Sequence, residues 1–81
     1  MIQEIKYPID WKYRVIGTQE EHIRNAIDEV LETKEYKLKF SNKSSKGKFI
    51  SFEISLNIES EKERDSIFVN LKNHSKINMI I

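Results

Sequence analysis

Phe49-Ile50-Ser51-Phe52-Glu53-Ile54-Ser55-Leu56-Asn57-Ile58 is the stretch that decides the fold. Ile50, Phe52, Ile54, Leu56 and Ile58 hold one parity, and Ser51, Glu53, Ser55 and Asn57 hold the other. Successive side chains of a strand point to opposite faces, so this alternation predicts a strand with one apolar and one polar side. Such a strand belongs to an antiparallel sheet covered on one face only.

Working outward, Ser60-Glu61-Lys62-Glu63 fits a capping box, in which hydroxyl and carboxylate satisfy orphan amides at a helix start. Arg64, Ile67, Phe68 and Leu71 mark the helix that follows. Glu61, Glu63 and Asp65 lie near its positive end and Lys72 near its negative end. Asn73-His74-Ser75 breaks it, and Ile77, Met79 and Ile81 predict a final short strand on one parity. Upstream, Asn42 to Gly47 is turn chemistry. Before it, Tyr36, Leu38 and Phe40 alternate with Lys37, Lys39 and Ser41 as another strand. Ile23, Ala26, Ile27, Val30 and Leu31 recur at i, i+3, i+4, i+7 and i+8, so residues 19–33 form a helix. Thr18-Gln19-Glu20-Glu21 reads as its capping box. Trp11, Tyr13 and Val15 alternate with Lys12, Arg14 and Ile16 in a first strand over residues 10–16, which Gly17 closes. Residues 1–8 are a lead-in; Pro8 has no amide donor and opens the strand rather than sitting inside it.

The order is strand, helix, strand, strand, helix, strand. Two βαβ halves with right-handed crossovers give an α+β, ferredoxin-like βαββαβ sandwich: an antiparallel sheet with two helices on one face. At 81 residues the chain is one domain, 1–81. So short a chain buries only roughly 60% of its unfolded surface, which leaves little material for a deep substrate cavity.

Fourteen basic and thirteen acidic residues leave a net charge of +1, so any nucleic-acid or membrane contact has to come from a local patch. The absence of cysteine removes disulfides, thiolate metal sites and cysteine nucleophiles, and suits a reducing cytoplasm. The longest apolar run, Met79 to Ile81, is far below the ~18 residues of a membrane span. No cofactor is expected.

Four stretches carry a resemblance: Tyr7-Pro8; Arg14-Val15-Ile16-Gly17; Ser44-Ser45-Lys46-Gly47-Lys48-Phe49-Ile50-Ser51; and Ile77-Asn78-Met79-Ile80-Ile81. Together they resemble the YbeD-like family of small bacterial proteins of unknown function, from Tyr7 to the last residue. The Ser-Ser-Lys-Gly-x-aromatic-x-Ser segment is the most specific part. The family tends to carry Phe before the proline, Lys where Arg14 stands and Tyr where Phe49 stands. The resemblance implies a ferredoxin-like fold similar to the ACT-type regulatory domains that bind small metabolites. It implies no activity.

The candidate sites are few. Lys37, Lys39, Lys43, Lys46 and Lys48 form a basic segment without an acid. It reads either as an anion or phosphate-backbone site or as a solvated edge where lysines deter strand pairing. Arg14 and Lys12 share the polar parity of the first strand, although the third strand of this fold separates the first from the second. Ser44, Ser45, Lys46 and Gly47 offer amides, hydroxyls and an ammonium that suit an anion nest, or alternatively a hairpin turn. Gly17 precedes a helix N-terminus, but Glu20 and Glu21 there repel anions, and a tight turn alone accounts for the glycine. His22 and His74 lack metal-ligand spacing, and the carboxylates of the first helix lie off its apolar stripe.

The chain is therefore expected to be non-catalytic: a small cytoplasmic regulatory or adaptor module binding a protein partner or small metabolite through its open sheet face. Self-association through that face or a strand edge, as a homodimer, is a further expectation. One alternative is nucleic-acid backbone binding through the lysine segment; Phe49 alone among the aromatics has the open parity, which argues against base stacking. A weak acylphosphatase-like enzyme is a second alternative. It would need a glycine-rich loop followed closely by arginine, whereas Gly17 is followed by Thr-Gln-Glu-Glu.

Overall fold

The computed structural model describes residues 5–44 and 47–81. Its elements are β1 (Ile9–Gly17), α1 (Glu20–Leu31), β2 (Lys37–Lys43), β3 (Ile50–Ile58), α2 (Glu61–Lys72) and β4 (Met79–Ile80). The strands form one sheet in the order β2-β3-β1-β4, every neighbouring pair antiparallel. This is the ferredoxin-like α+β arrangement that the element order predicts.

The alternation of β3 settles the layering. Phe52, Ile54, Leu56 and Ile58 are buried, and so are Tyr13 and Val15 opposite them on β1. Against this side α1 presents Ile23, Ala26, Ile27 and Leu31, and α2 presents Ile67 and Leu71. Each of the larger side chains removed from water this way contributes about 1.5–3 kcal/mol. Trp11 is half-buried at the margin, with the Arg64 guanidinium 5.0 Å from its ring centroid. The Tyr13 hydroxyl donates to the Arg64 carbonyl at 2.8 Å, tying β1 to α2. Burial is the main force pushing the Tyr13 hydroxyl up to about 12.

The two helices start differently. At α2 the Ser60 hydroxyl accepts from the Glu63 N–H at 3.1 Å, and the Glu63 carboxylate accepts from the Glu59 N–H. That backbone donor first, and Lys34 after it, hold the Glu63 carboxyl below the ordinary range. The capping box expected at Thr18 does not form. The first helical bond runs from the Ile23 N–H to the Gln19 carbonyl, so Gln19 is the cap, and it contributes no side-chain bond. The helix also stops at Leu31, two residues short of Thr33, where Glu32 takes a positive φ of 54°.

Gly17 fixes where α1 lands. A Cβ at Gly17 would lie 2.7 Å from Ile23 Cγ1 and 3.0 Å from the Lys76 carbonyl oxygen. Ile23 fills the space that the absent side chain leaves.

The edges depart from the simple alternation. β2 is irregular between Phe40 and Asn42: Phe40 pairs with Phe52 and Asn42 with Ser51, leaving Ser41 as a bulge. Ser51, on the polar parity, is buried there and donates to the Asn42 carbonyl at 3.3 Å. Phe40 has the core parity and meets Phe52 edge to face, yet is 52% exposed at the sheet margin. The last strand corrects its expected pattern. Ile77 is buried, but Met79 and Ile81 are exposed, and Ile80 is the residue paired with Val15. With only two residues in β4, no sustained alternation develops.

Candidate functional site

Antiparallel partners share a face, so the register assigns every side chain of the uncovered side. One row runs Lys37, Ser55, Lys12; the next runs Lys39, Glu53, Arg14; a third runs Asn42, Ser51, Ile16. Neighbouring strands are about 4.8 Å apart, so Lys39 and Arg14 stand roughly 10 Å apart across Glu53. That is about one Debye length at physiological salt, so the four cations act partly together. Lys12 Nζ lies 3.4 Å from Glu53 Oε1. Beyond these rows Asp10 faces Asn57, whose amide donates to it at 3.3 Å. The face therefore holds four cations against two carboxylates. Among the described residues, Arg14, Lys37 and Lys39 have no ion-pair partner.

A shallow cleft of about 780 Å³ opens at the Asp10 end, lined by Lys12, Lys34, Tyr36, Lys37 and Ser55 among others. The Tyr36 hydroxyl hydrogen-bonds the Asp28 carboxylate. Partial burial, reinforced by that acceptor, pushes Tyr36 up to about 12. The opposite side of the molecule is acidic: α1 exposes Glu20, Glu21, Asp28 and Glu29 against the single Arg24.

The structure divides the basic segment. Lys37 and Lys39 join Lys12 and Arg14 on the open face. The bulge reverses the parity, so Lys43, opposite Ile50, falls on the other side. Lys48 lies in the hairpin with its ammonium 5.4 Å from the Phe49 ring centroid. Ser44 closes that hairpin: its hydroxyl accepts from the Lys48 and Phe49 amides, and its carbonyl accepts from Gly47, which has φ +68°. Ser45 and Lys46 lie outside the described residues. Gly17 is buried against Ile23. His74 contacts Glu29 at 2.6 Å and accepts from the Lys76 amide through Nδ1, which joins the end of α2 to α1.

Sequence periodicity gave the polar parity of each strand but not the rows, because pairing register depends on turn and bulge geometry. The cleft and the His74–Glu29 contact join residues far apart in sequence, and the Tyr36–Asp28 bond spans the loop between α1 and β2; none of them carries a local sequence signal. Among the described residues no helix is long and apolar enough to cross a membrane, and no three His, Cys, Asp or Glu side chains gather as a metal site.

A two-layer α+β domain presenting one uncovered, cation-bearing sheet face is the class of protein these features define. The chain belongs to the family described as "Protein of unknown function (DUF493)", the YbeD-like family, whose model matches residues 3–81. It is 37% identical over 73 residues to an uncharacterised protein of Campylobacter jejuni, covering 90% of this chain and 84% of that one. An uncharacterised Helicobacter pylori protein is 39% identical over 75 residues, covering 90% and 85%. The solution structure of protein HP0495 from H. pylori is similar with a TM-score of 0.83 and 30% identity, over 99% of this chain and 88% of that one. A second solution structure of HP0495 gives a TM-score of 0.64 at 36% identity, over 93% and 87%.

Proposed function

We propose that this chain is a non-catalytic regulatory or adaptor module whose open sheet face docks an acidic surface of a protein partner. The carrying observation is the pair of cross-strand rows that gathers Lys12, Arg14, Lys37 and Lys39 around Glu53 on a side that, among the described residues, no helix covers. Fixed charges on a rigid sheet steer and orient an oppositely charged partner. A small anionic metabolite is the second reading, favoured by the cleft at the end of the same face. The likeness of the ferredoxin-like fold to ACT-type regulatory domains supports a regulatory role by analogy of fold. We place its work in the cytoplasm, where a chain without cysteine loses nothing to reducing conditions. Two copies laid face to face would set like charges against each other, so the partner is a different molecule.

The test is capture from native cytoplasm by the wild-type chain and by a Lys12→Glu, Arg14→Glu, Lys39→Glu variant. The captured protein is then titrated against both at rising salt. Affinity for an acidic protein should fall with salt and be lost in the variant; equal binding by both chains overturns the reading. Binding of plain duplex or single-stranded nucleic acid would replace it with a backbone-directed role. Four neutralised phosphates would then give a log–log salt slope of about −3.6 on duplex DNA and about −2.8 on a single strand.

A further inference from the structure

We infer that β2 receives an extended segment of the partner as a fifth strand, with acidic and apolar residues alternating along that segment. This rests on the open face being a docking surface and names what docks there. Among the described residues β2 has a neighbour on one side only, so its outer backbone donors and acceptors form an unpaired edge there. That edge is chemically two-sided. Lys37 and Lys39 project from the open face, whereas Leu38 and Phe40 have the core parity, Leu38 half-buried and Phe40 about half exposed. A strand laid along residues 37–40 therefore meets ammonium groups on one side and apolar surface on the other.

The paired side of β2 already shows which chemistry fits. β3 places Glu53 opposite Lys39, and Phe52 and Ile54 opposite Phe40 and Leu38. A partner carrying an acid opposite Lys39, with apolar residues on either side of it, repeats that arrangement on the free edge, and a second acid at i+2 meets Lys37, which faces only Ser55 on β3. A second copy of β2 is excluded as occupant by the same charges. Two such edges paired antiparallel in one continuous sheet would set lysine opposite lysine. The bulge at Ser41 limits the ladder to about four residues and fixes which part of the edge is used.

The experiment is an amide NMR titration of the full chain with the end-blocked peptide Thr-Ile-Glu-Val-Glu-Val-Thr. Three controls accompany it: a version with Lys for each Glu, one with the same residues in non-alternating order, and one N-methylated at alternate amides. Strand addition predicts shifts and slowed hydrogen exchange at the amides of residues 37–40. It also predicts that each control binds weaker by about tenfold or more. A Lys37→Glu, Lys39→Glu variant should lose the acidic peptide and gain the lysine one, a reversal that a misfolded chain does not show. Equal binding of the N-methylated peptide, or shifts confined to Lys12, Arg14, Ser51 and Ser55, overturns strand addition while leaving the face as a docking surface. No shift anywhere, or concentration-dependent pairing of the chain through β2, also overturns it; the face reading is then judged by its own capture experiment.

Discussion

Replacing Gly17 with alanine tests how tightly β1 and α1 are keyed. The added Cβ would sit 2.7 Å from Ile23 Cγ1, 2.9 Å from Ile23 Cδ1 and 3.0 Å from the Lys76 carbonyl oxygen. Carbon contacts rest near 3.5–4.0 Å, so the approach to Ile23 is short by about 1 Å. Ile23 is fully buried among core neighbours, so moving it displaces packed side chains, and the carbonyl belongs to the backbone. Overpacking of this kind costs about 1–3 kcal/mol. Gly17 does not have a positive φ, so alanine also stiffens the unfolded chain, which returns about 0.4–1 kcal/mol. The net loss is about 1–2 kcal/mol, a fall in Tm of roughly 5–15 °C for a domain of this size. Urea unfolding followed by Trp11 fluorescence reads it directly. Adding Ile23→Val, which removes the Cδ1 methyl, should recover part of the loss, so the two changes combine sub-additively. If Gly17→Ala unfolds at the same urea concentration as wild type or a higher one, the keying of α1 by Ile23 is wrong.

Two further perturbations separate contributions that the structure keeps apart. Tyr13→Phe removes the bond to the Arg64 carbonyl and should cost about 1 kcal/mol at neutral pH. Because the folded state holds the Tyr13 proton up to about 12 against 10.0 ordinarily, wild-type stability is complete below pH 10 and declines as pH rises towards 12. The phenylalanine variant should lose that part of the decline, and an identical alkaline slope in both chains would contradict the assignment. Ser60→Ala should cost about 1 kcal/mol through the lost cap of α2, whereas Thr18→Ala should lie within about 0.5 kcal/mol of wild type. Thermal melts of the two variants side by side check it, and equal losses would reinstate the cap at Thr18.

How far the fold is legible in the sequence depends on element length. β3, with nine residues of near-perfect alternation, announces both its faces, and the helical stripe of α1 announces its core side down to Leu31. The same logic fails on β4, where Ile77, Met79 and Ile81 share a parity but only Ile77 is buried. A two-residue strand carries no period to read, and pairing with Val15 turns Ile80 to the sheet instead. It fails again at Ser41, whose insertion into β2 moves Lys43 off the face shared by Lys37 and Lys39. Nothing in Phe40-Ser41-Asn42 marks a bulge. The candidate face was half legible: parity put Lys12, Arg14, Lys37 and Lys39 on polar sides, but only the register shows them in common rows around Glu53.

The acidic outer surface of α1 and the basic open side of the sheet sit on opposite flanks of a molecule whose formal net charge is only +1. Seen from far away such a body is almost neutral and feels little pull. Close to a charged object it experiences a torque, and it turns before it sticks. The charges of the sheet therefore steer a partner only at close range, where contact is already aimed, and resins of either sign should retain the protein weakly at the same pH.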